Sequence, residues 1–548
     1  MATESPPGVR RRAPLLSPAL IVSLLPALLL PLTAHPQEAG GGEGKEPAAQ
    51  ERDAQAPGSG ENARTLSLSV DDAIRIALEN NLDLKIEAIT HDRAQRDIAI
   101  AKAAFDPVFQ TSFTMSKFRS PSVSFLDLGT TVTSAVTVNP FNSQAYNLGI
   151  SGLLSPGTQY SITAEDSRSD TPRSGGIFGI NPRHQTSIVA RFTQPLLRGF
   201  GARSNLADLR IARRSWEIAG HRRRRLIETT VGSVMSAYWN LVFARRDLEV
   251  KEEALTEAET LLEINRHRVA VGTAREIDVI DAEANIETQK SGIIDARNAL
   301  RRAQDTLLDL LNYRRVEEPP AGSPLYEGIQ IVPATELAFE PFPVELGAAI
   351  RLALDERDDL REASLAIESS QLDLERRRND RLPALNLQGS WTQAGLEGGF
   401  GDSLDELGSG RFYDWSLGVS FEMPLGNRQA RGRLAQARAD LQSARLAREK
   451  LENGIILEVT QVVRDIESAR QRVLTTRAAS RLRSEQLEAE TQRLRVGTST
   501  SYQVLQIHND LLEAQGEELR ALVDHRNAVT AFYSAVGTIL PSVGISLE

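Results

Sequence analysis

Side chains that could act as acids, bases or nucleophiles are present in this chain, but they form no familiar catalytic motif. Seven histidines are scattered over 548 residues, and cysteine is absent. Without cysteine there is no thiol nucleophile, no disulfide and no Cys-ligated zinc. A phosphate-binding Gly-Lys loop, an H-E-x-x-H pair and a G-x-S-x-G elbow are also missing from the sequence. We therefore predict no enzyme activity, no cofactor and no metal.

The charge balance argues against a protein that binds nucleic acids. The chain carries 63 Lys and Arg residues against 73 Asp and Glu residues, a formal net charge of −10 at pH 7. Nucleic-acid-binding surfaces are usually basic. No nucleic-acid partner is therefore predicted.

The N-terminal segment is predicted to direct export. Three arginines at positions 10–12 precede an apolar stretch at 13–32. This order is typical of a secretory signal peptide, which we place at residues 1–34. A transmembrane anchor is the alternative, although Pro18, Pro26 and Pro31 interrupt the apolar stretch.

The segment that follows, residues 35–64, is rich in Gly, Glu, Ala, Pro and Gln, and is predicted to be a disordered linker. Beyond residue 64 no run of 18 consecutive apolar residues occurs, so no transmembrane helix is predicted there. An exported chain without cysteine fits the periplasm or the outer membrane of a Gram-negative bacterium.

The chain contains an internal duplication. Three blocks of matching residues occur twice in the same order. The blocks are residues 71–78 and 347–354, residues 192–196 and 421–425, and the pairs Gly272-Thr273 and Gly497-Thr498. The distance along the chain between the two copies of a block is 47 residues shorter for the second block than for the first. The first half therefore carries 47 extra residues between Pro107 and Pro195. These residues could extend loops or add a hairpin to the sheet.

Each half is predicted to run from a short helix through strands to a long helical hairpin. Apolar residues recur at helical spacing near 70–104, whereas period-two alternation appears between Phe105 and Leu197, including a predicted β-hairpin at 146–164. The predicted segments are a short helix at 65–104, strands and extracellular loops at 105–200, a helical hairpin at 201–312, an equatorial linker at 313–344, a second short helix at 345–382, strands at 383–426, a second helical hairpin at 427–540 and a tail at 541–548.

The predicted helix lengths indicate a tall coiled-coil structure. The two long helices have roughly 65–70 residues and would each span about 100 Å at 1.5 Å per residue. The two shorter helices of each half add up to about the same length, so they could stack end to end beside the long one. Leu434, Ala437 and Leu441 follow a heptad pattern. A single chain of such hairpins cannot bury all its apolar faces, which predicts an oligomer.

This duplicated order of strand, long helix, turn and helix resembles the TolC-like outer-membrane efflux proteins. The resemblance covers residues 65–540 and rests on short motifs that recur in order. They are the A-I-x-x-A-L openings at 73–78 and 349–354, the strand-to-helix turns at Pro195 and Pro424, the R-x-x-x-G-T tips at Gly272 and Gly497, and the D-V-x-x-A stretch at 278–282.

The resemblance implies an α+β membrane protein that works as a homotrimer. Three chains would close one 12-stranded-type outer-membrane β-barrel, which would continue into a long α-helical coiled-coil tunnel through the periplasm. The implied partners are outer-membrane lipid, a periplasmic adaptor and an inner-membrane pump. The implied function is a passive exit duct for small molecules or polypeptides in a tripartite efflux or type I secretion system. Membrane physics agrees, because open strand edges cannot face lipid.

Aromatic residues concentrate in or beside the predicted strands. Such residues form girdles at the two interfaces of outer-membrane barrels. The alternative is that they are core aromatics of a soluble sheet. The candidates are Phe105, Phe109, Phe113, Phe118, Phe192, Trp391, Phe412, Tyr413, Trp415 and Phe421.

The resemblance also implies a docking surface at the periplasmic end. Glycine readily adopts the left-handed conformation that ends a helix, and in this family the two hairpin tips face the adaptor. The implied docking residues are Arg268, Gly272, Thr273, Arg493, Gly497 and Thr498.

In this family, carboxylates at the sixth and ninth positions after the second tip glycine narrow the tunnel. This chain has Gln503 and Gln506 at those positions, and the matching first-repeat residues are Asp278 and Asp281. Three copies of each aspartate around one axis would form a constriction that attracts cations and raises its own pKa values. The alternative is that each aspartate only stabilises a helix N-terminus.

Two other function classes remain open. The chain could be a non-conducting periplasmic coiled-coil protein with a structural or interaction role. A periplasmic adaptor would also contain a coiled-coil hairpin, but adaptors carry one such hairpin, whereas the hairpin occurs twice here.

Overall fold

The computed structural model describes residues 64–122, 137–170, 179–313 and 329–546. The predicted signal peptide lies outside these residues, and so does the predicted linker apart from its last residue, Arg64. The helices are α1 (Val70–Asn80), α2 (Leu82–Lys102), α3 (Ala202–Asn205), α4 (Ala207–Ala270), α5 (Glu276–Leu311), α6 (Leu346–Glu356), α7 (Asp358–Asp380), α8 (Phe400–Ser409), α9 (Arg428–Arg495), α10 (Ser501–Val536) and α11 (Ile539–Ser542). The strands are β1 (Arg64–Leu68), β2 (Val108–Ser122), β3 (Thr137–Leu153), β4 (Gln159–Asp170), β5 (Arg183–Pro195), β6 (Ile329–Pro333), β7 (Ala384–Glu397) and β8 (Phe412–Glu422).

Two long helical hairpins are the largest elements of the described chain. Helix α4 has 64 residues and α9 has 68, so each spans about 100 Å at 1.5 Å per residue. Each turns back into a 36-residue helix, α5 or α10. Buried positions on α9 recur every seven residues, at Val459, Ile466 and Val473, as expected of a coiled-coil seam. No helix in the described part of the chain combines the length and the apolar character that crossing a bilayer requires.

The short helices lie along the long ones, as their lengths predicted. Both α2 and α5 pack against α4. The end of α5 meets the end of α1, where the Asn312 side-chain amide donates to the Asn80 carbonyl at 3.0 Å. Helix α7 packs against both α4 and α9, and α10 packs against α4. The two hairpins are therefore joined side by side within one chain.

Each predicted short helix is in fact two helices, and the break falls at the same place in both repeats. Asn81 ends α1, and its side-chain oxygen caps α2 by accepting from the Asp83 amide at 2.9 Å. The Asn81 side-chain amide also donates to the Leu310 carbonyl at 3.2 Å. In the second repeat, Arg357 separates α6 from α7 and donates to the Ala535 carbonyl at 3.1 Å. Each break thus holds the short helices against the end of a returning helix.

A two-stranded parallel sheet of β1 and β6 crosses the middle of the helical region. Its strands lie within segments that the sequence assigned to a helix and to a linker. Tyr238 on α4 is fully buried beneath it; its hydroxyl donates to the Leu68 carbonyl and accepts from the Thr335 amide, both at 3.0 Å. The tyrosine therefore fixes the sheet to the long helix while both of its hydrogen-bonding roles are satisfied.

A six-stranded antiparallel sheet stands at the end of the helices, in the order β2-β3-β4-β5-β7-β8. The hairpin predicted at 146–164 is present as β3 and β4. Helix α8 connects β7 to β8. A twelve-stranded barrel made by three chains takes four strands from each, whereas this chain places six in one sheet.

Candidate functional site

The six-stranded sheet has one apolar face and one polar face, which is clearest in β8. Neighbouring residues of a strand point to opposite faces. One face of β8 carries Tyr413, Trp415, Leu417, Val419 and Phe421, and the other carries Asp414, Ser416, Gly418, Ser420 and Glu422. All of these side chains are exposed in the single chain. A fully exposed strand with this alternation is typical of an outer-membrane barrel, in which the apolar face meets lipid.

The same division holds across the other strands. Residues paired directly across two strands lie on the same face, so Trp391 shares the apolar face with its partner Trp415. On the opposite face, the hydroxyls of Ser390 and Ser416 hydrogen-bond at 2.8 Å. Further members of the apolar face are Phe109, Phe113, Met115, Leu148, Ile150, Ile162, Ile188, Ala190, Leu385 and Leu387. Further members of the polar face are Gln110, Ser112, Thr114, Asn147, Ser151, Thr163, Glu165, Ser187, Arg191, Asn386 and Gln388.

Most of the ten aromatic residues singled out from the sequence lie on the apolar face. The seven on it are Phe109, Phe113, Phe192, Trp391, Tyr413, Trp415 and Phe421. Phe118 and Phe412 lie on the polar face instead, and Phe105 is half-buried in the short turn before β2. Tyr146 and Tyr160 are additional apolar-face aromatics; the period-two alternation of their strands would have identified them.

At one end of the apolar face, helix α8 covers the sheet and the side chains on that face are polar. Thr186 is buried under α8, and its hydroxyl donates to the Ser403 carbonyl at 2.9 Å. On the same face and near it, His184 lies 3.7 Å from the Asp166 carboxylate. Because such groups are costly in a hydrocarbon layer, they mark the edge of the band that can contact lipid.

The two hairpin tips share one backbone conformation. Gly272 and Gly497 have φ angles of +79° and +80°. At the first tip the Thr273 amide donates to the Arg268 carbonyl at 2.8 Å, and at the second the Thr498 amide donates to the Arg493 carbonyl at 2.9 Å. This bonding is the Schellman motif, in which a left-handed glycine lets the chain satisfy the last carbonyls of a helix. Each threonine hydroxyl adds a second hydrogen bond to the same arginine carbonyl.

A buried polar seam joins the two hairpins behind the tips. Asn265 on α4 is only 1% exposed; it accepts from the Ser501 hydroxyl at 2.7 Å and donates to the Asp278 carbonyl at 3.1 Å. Further along, the His508 ring nitrogen lies 3.2 Å from the Glu257 carboxylate. Burial lowers the pKa of His508, while the Glu257 charge acts in the opposite direction. The two hairpins therefore meet here through buried polar side chains that are either uncharged, as Asn265 and Ser501 are, or paired with a partner, as His508 is with Glu257.

The carboxylate of Asp278 is used within its own hairpin. It is 9% exposed and accepts from the Arg275 backbone amide at 3.0 Å and from the Arg275 guanidinium at 3.2 Å. The hydrogen bond from the Arg275 backbone holds the pKa of Asp278 below its ordinary value. Such an aspartate stabilises a helix N-terminus. Asp281 lies about one turn further along α5, half-buried.

The matching positions of the second repeat are arranged differently. Thr500 caps α10, since its hydroxyl accepts from the Gln503 amide at 3.3 Å. Gln503 and Gln506 are both exposed. Because a threonine already caps this helix, position 503 does not need a carboxylate.

A charged cluster lies between α4 and α7, far from the tips along the chain. The Asp358 side chain is 1% exposed and lies 2.8 Å from the His221 ring nitrogen, 3.7 Å from Arg224 and 3.6 Å from Arg361. Burial, with the Asp358 charge nearby, raises the pKa of Glu228 to about 7. The basic run at 221–225 is therefore paired with acids of the neighbouring helix. Within the described segments no group of three or more His, Cys, Asp or Glu side chains is placed to hold a metal.

Comparisons with known proteins agree with this geometry. The family model described as outer membrane efflux protein matches residues 159–313 and 349–538, one segment in each repeat. The chain is 22% identical over 352 residues to the outer membrane efflux protein BepC of Brucella suis, covering 64% of this chain and 72% of that protein. Among solved structures, it resembles the outer-membrane channel OprN with a TM-score of 0.62 and 18% identity, over 86% of this chain and 90% of OprN. It also resembles the open state of the MtrE outer membrane channel of Neisseria gonorrhoeae with a TM-score of 0.59 and 19% identity, over 86% and 89% of the two chains.

Proposed function

Because the chain belongs to the outer membrane efflux protein family, we propose that three copies of it form the outer-membrane exit duct of a tripartite efflux or type I secretion system. The duct conducts small molecules or polypeptides passively from the periplasm to the exterior of a Gram-negative cell. Conduction of this kind needs a shaped and solvated path rather than catalysis, so the proposal includes no enzyme activity and no cofactor.

The observation that carries this proposal is the continuity of a two-faced sheet with two long helical hairpins in one chain. The apolar face of the sheet suits lipid, and the polar face suits a water-filled lumen. The outer strands β2 and β8 have open edges in a single chain. Open edges are not tolerated in hydrocarbon, so further copies must complete the barrel.

The helices support the same assembly. Leu82, Ile86 and Ile89 form a stripe on α2, each at least half exposed. On α9, Leu446 and Leu457 are also more than half exposed. Within the chain, α7 lies between α4 and α9; by the internal duplication, α2 would lie between α4 of its own chain and α9 of a neighbour. Such packing would cover both stripes and close a ring of hairpins.

We assign adaptor docking to the two tips, through Arg268, Gly272, Thr273, Arg493, Gly497 and Thr498. Their support is the shared Schellman geometry, which gives both tips the same shape and places a Gly-Thr pair at the turn. A photo-crosslinking residue at position 268 or 493 should capture the periplasmic adaptor in cells. The control is position 246, because Arg246 is exposed on α4 away from the tip.

Of the four constriction residues implied by the resemblance, we keep one in the proposal. Asp278 is occupied by its capping role, and Gln503 and Gln506 carry no charge. Of these four residues, Asp281 is the carboxylate that does not take part in the cap. We propose that it is the residue of this set that sets cation preference.

The decisive experiment is reconstitution of the purified full-length protein in planar lipid bilayers, with its copy number measured by native mass spectrometry. We expect a trimer that gives stable single-channel conductance. A trimer without conductance would favour the non-conducting coiled-coil protein, and a monomer in detergent would contradict the duct.

A further inference from the structure

The first repeat contributes two strands that have no counterpart in the second repeat. In the second repeat, β7 and β8 fill the interval between Pro383 and Pro424. In the first repeat, the described residues of the matching interval between Pro107 and Pro195 form four strands. The 47 extra residues of the first repeat therefore go together with an inserted hairpin, defined here as β3, its turn and β4 (residues 137–170).

The inserted hairpin is a full member of the sheet. Strand β3 is paired along the whole 15-residue length of β2, and β4 is paired with β5 over residues 159–169. The two strands have 17 and 12 residues. A strand needs about 9–11 residues to cross an outer membrane, so both are long enough.

The two faces of the sheet continue through the inserted hairpin without a break. Tyr146, Leu148 and Ile150 of β3 lie on the apolar face, beside Phe113, Thr111 and Phe109 of β2. Between them, Asn147, Gly149 and Ser151 lie on the polar face. A hairpin that left the membrane would have no reason to match this alternation.

The turn of the inserted hairpin is fixed to the junction between sheet and helices. Gly157 has a φ of +95°, and a Cβ there would collide with the Gly199 carbonyl. The Gly201 amide donates to the Pro156 carbonyl at 3.0 Å, and the Thr158 hydroxyl donates to the Gln194 side chain. The hairpin therefore starts at the same level as the other strands and runs alongside them.

From these observations we infer that the inserted hairpin enlarges the barrel, so that three chains close eighteen strands around a water-filled lumen. The inference rests on the trimer of the proposed function. Six antiparallel strands place β2 and β8 at the two edges, running in opposite directions. The β8 edge of one copy can therefore pair antiparallel with the β2 edge of the next, and no edge remains in lipid.

The strand number determines how wide the exit is. Barrel diameter grows roughly linearly with strand number, and barrels of 16–18 strands enclose aqueous channels. A barrel with four strands from each chain would be only about two thirds as wide. The outer-membrane section of this duct is thus predicted to pass bulky hydrated solutes, which leaves selection to the narrower helical end.

Paired cysteine substitutions test the placement of the inserted hairpin, and the chain has no native cysteine to interfere. Asn147→Cys places a thiol on the polar face and Leu148→Cys places one on the apolar face of the same strand. In proteoliposomes containing the full-length protein, a membrane-impermeant maleimide should label position 147 about tenfold faster than position 148, because lumen and lipid faces alternate. Equal labelling of both positions would overturn the inference.

Single-particle electron microscopy of the full-length trimer tests the strand number directly. We expect eighteen strands. In a second measurement, polyethylene glycols are added at the outer mouth of the channel. The smallest polymer that cannot enter should be larger for the full-length protein than for a variant that lacks residues 137–170. If that variant does not fold, the strand count of the full-length trimer and the labelling of the two cysteine variants still test the inference. A conducting trimer with twelve strands would overturn the larger barrel and leave the duct intact. A protein that forms no conducting trimer would instead refute the proposed function.

Discussion

The Ser501 hydroxyl donates a 2.7 Å hydrogen bond to the Asn265 side-chain oxygen, and this bond joins the two helical hairpins just behind their tips. Asn265 also donates to the Asp278 carbonyl, so one buried amide on α4 contacts two other helices, α10 and α5. The matching residue of the second repeat is Glu490, which accepts from the Ser499 hydroxyl within its own hairpin and pairs with Arg493 at 3.2 Å. The duplicated positions have thus diverged, one linking the hairpins and the other closing a tip.

Replacing Asn265 with alanine should loosen the seam between the hairpins. The substitution leaves the Ser501 hydroxyl without its buried partner, which costs about 1–3 kcal/mol. It also removes a second donor from the Asp278 carbonyl, which keeps its hydrogen bond within α5. Hydrogen exchange should accelerate at both tips, near residues 265–280 and 498–508. Ser501→Ala is the milder control, because Asn265 then keeps its bond to Asp278. Unchanged exchange in Asn265→Ala would show that other contacts hold the seam.

Asparagine substitutions should separate the roles of the two aspartates after the first tip. In Asp278→Asn the capping charge is lost, and the helix should be destabilised by about 1 kcal/mol without a change in ion selectivity. In Asp281→Asn the stability should be unaffected and cation selectivity should fall. Reversal potentials in a salt gradient and thermal unfolding measure the two effects. A shifted reversal potential in Asp278→Asn would place that carboxylate in the lumen.

The pH dependence of the Asp278 contribution has a definite sign. Its pKa is held below the ordinary value of 3.8 in the folded chain. A carboxylate whose pKa is lowered by folding stabilises the folded state at pH values above its unfolded-state pKa of 3.8. This stability is lost as the pH falls below 3.8 and the folded-state carboxylate is protonated. Asp278→Asn should therefore differ from the parent protein at pH 6 and approach it at strongly acidic pH.

Glu228 should make the protein less stable as the pH rises towards neutrality. Its pKa is raised from 4.5 to about 7 in the folded chain, so the folded state binds the proton more tightly than the unfolded state. Stability then falls as the pH increases through that interval. Glu228→Gln should unfold at a higher temperature than the parent at pH 8 and at a similar temperature near pH 4. If the melting temperatures of the two proteins differ by the same amount at every pH between about 4 and 8, Glu228 does not have the raised pKa.

Much of the helical architecture could be predicted because its determinants are local. Helical periodicity, the lack of proline and the left-handed Gly272 and Gly497 indicate long helices with tips at known positions. The breaks at Asn81 and Arg357 were not predicted, because neither is a glycine or a proline. Both are stabilised by contacts with the ends of helices far along the chain, at Leu310 and Ala535.

The role of Asp278 depended on a detail that the sequence does contain. The duplication aligns Arg275 with Thr500, a residue able to cap a helix through its side-chain oxygen. Arginine has no such acceptor, so Asp278 supplies one from the first turn. The pairing of β1 with β6 is different, since nothing local to either five-residue strand specifies its distant partner.

Lysine substitutions on neighbouring residues of β8 should show which face of the sheet meets lipid. Val419→Lys places a charge on the apolar face and should destabilise the folded trimer by about 2–4 kcal/mol if it lies near the middle of the bilayer. Ser420→Lys places the same charge on the polar face and should leave stability nearly unchanged.

The Ser420→Lys charge should alter conductance instead, because the proposed barrel turns the polar face of β8 towards its lumen. Denaturant unfolding in lipid vesicles and single-channel recordings measure the two outcomes. Equal stability of the two variants would mean that the alternation in β8 is not a lipid–lumen alternation.

A β-branched residue at a tip glycine should disrupt docking of the adaptor by changing the backbone. Gly272 needs a φ of +79°, and left-handed backbone costs an ordinary residue about 1–2 kcal/mol. Gly272→Val should therefore break the bond from the Thr273 amide to the Arg268 carbonyl and weaken adaptor crosslinking at position 268. Gly272→Asn is the matched control, because asparagine tolerates this conformation. Apart from the two neighbouring residues in the chain, no atoms lie within 4 Å of a Cβ placed on Gly272, so any loss in the valine variant reports backbone strain rather than a collision with the rest of the chain. Normal crosslinking in Gly272→Val would show that docking does not depend on the shape of this tip.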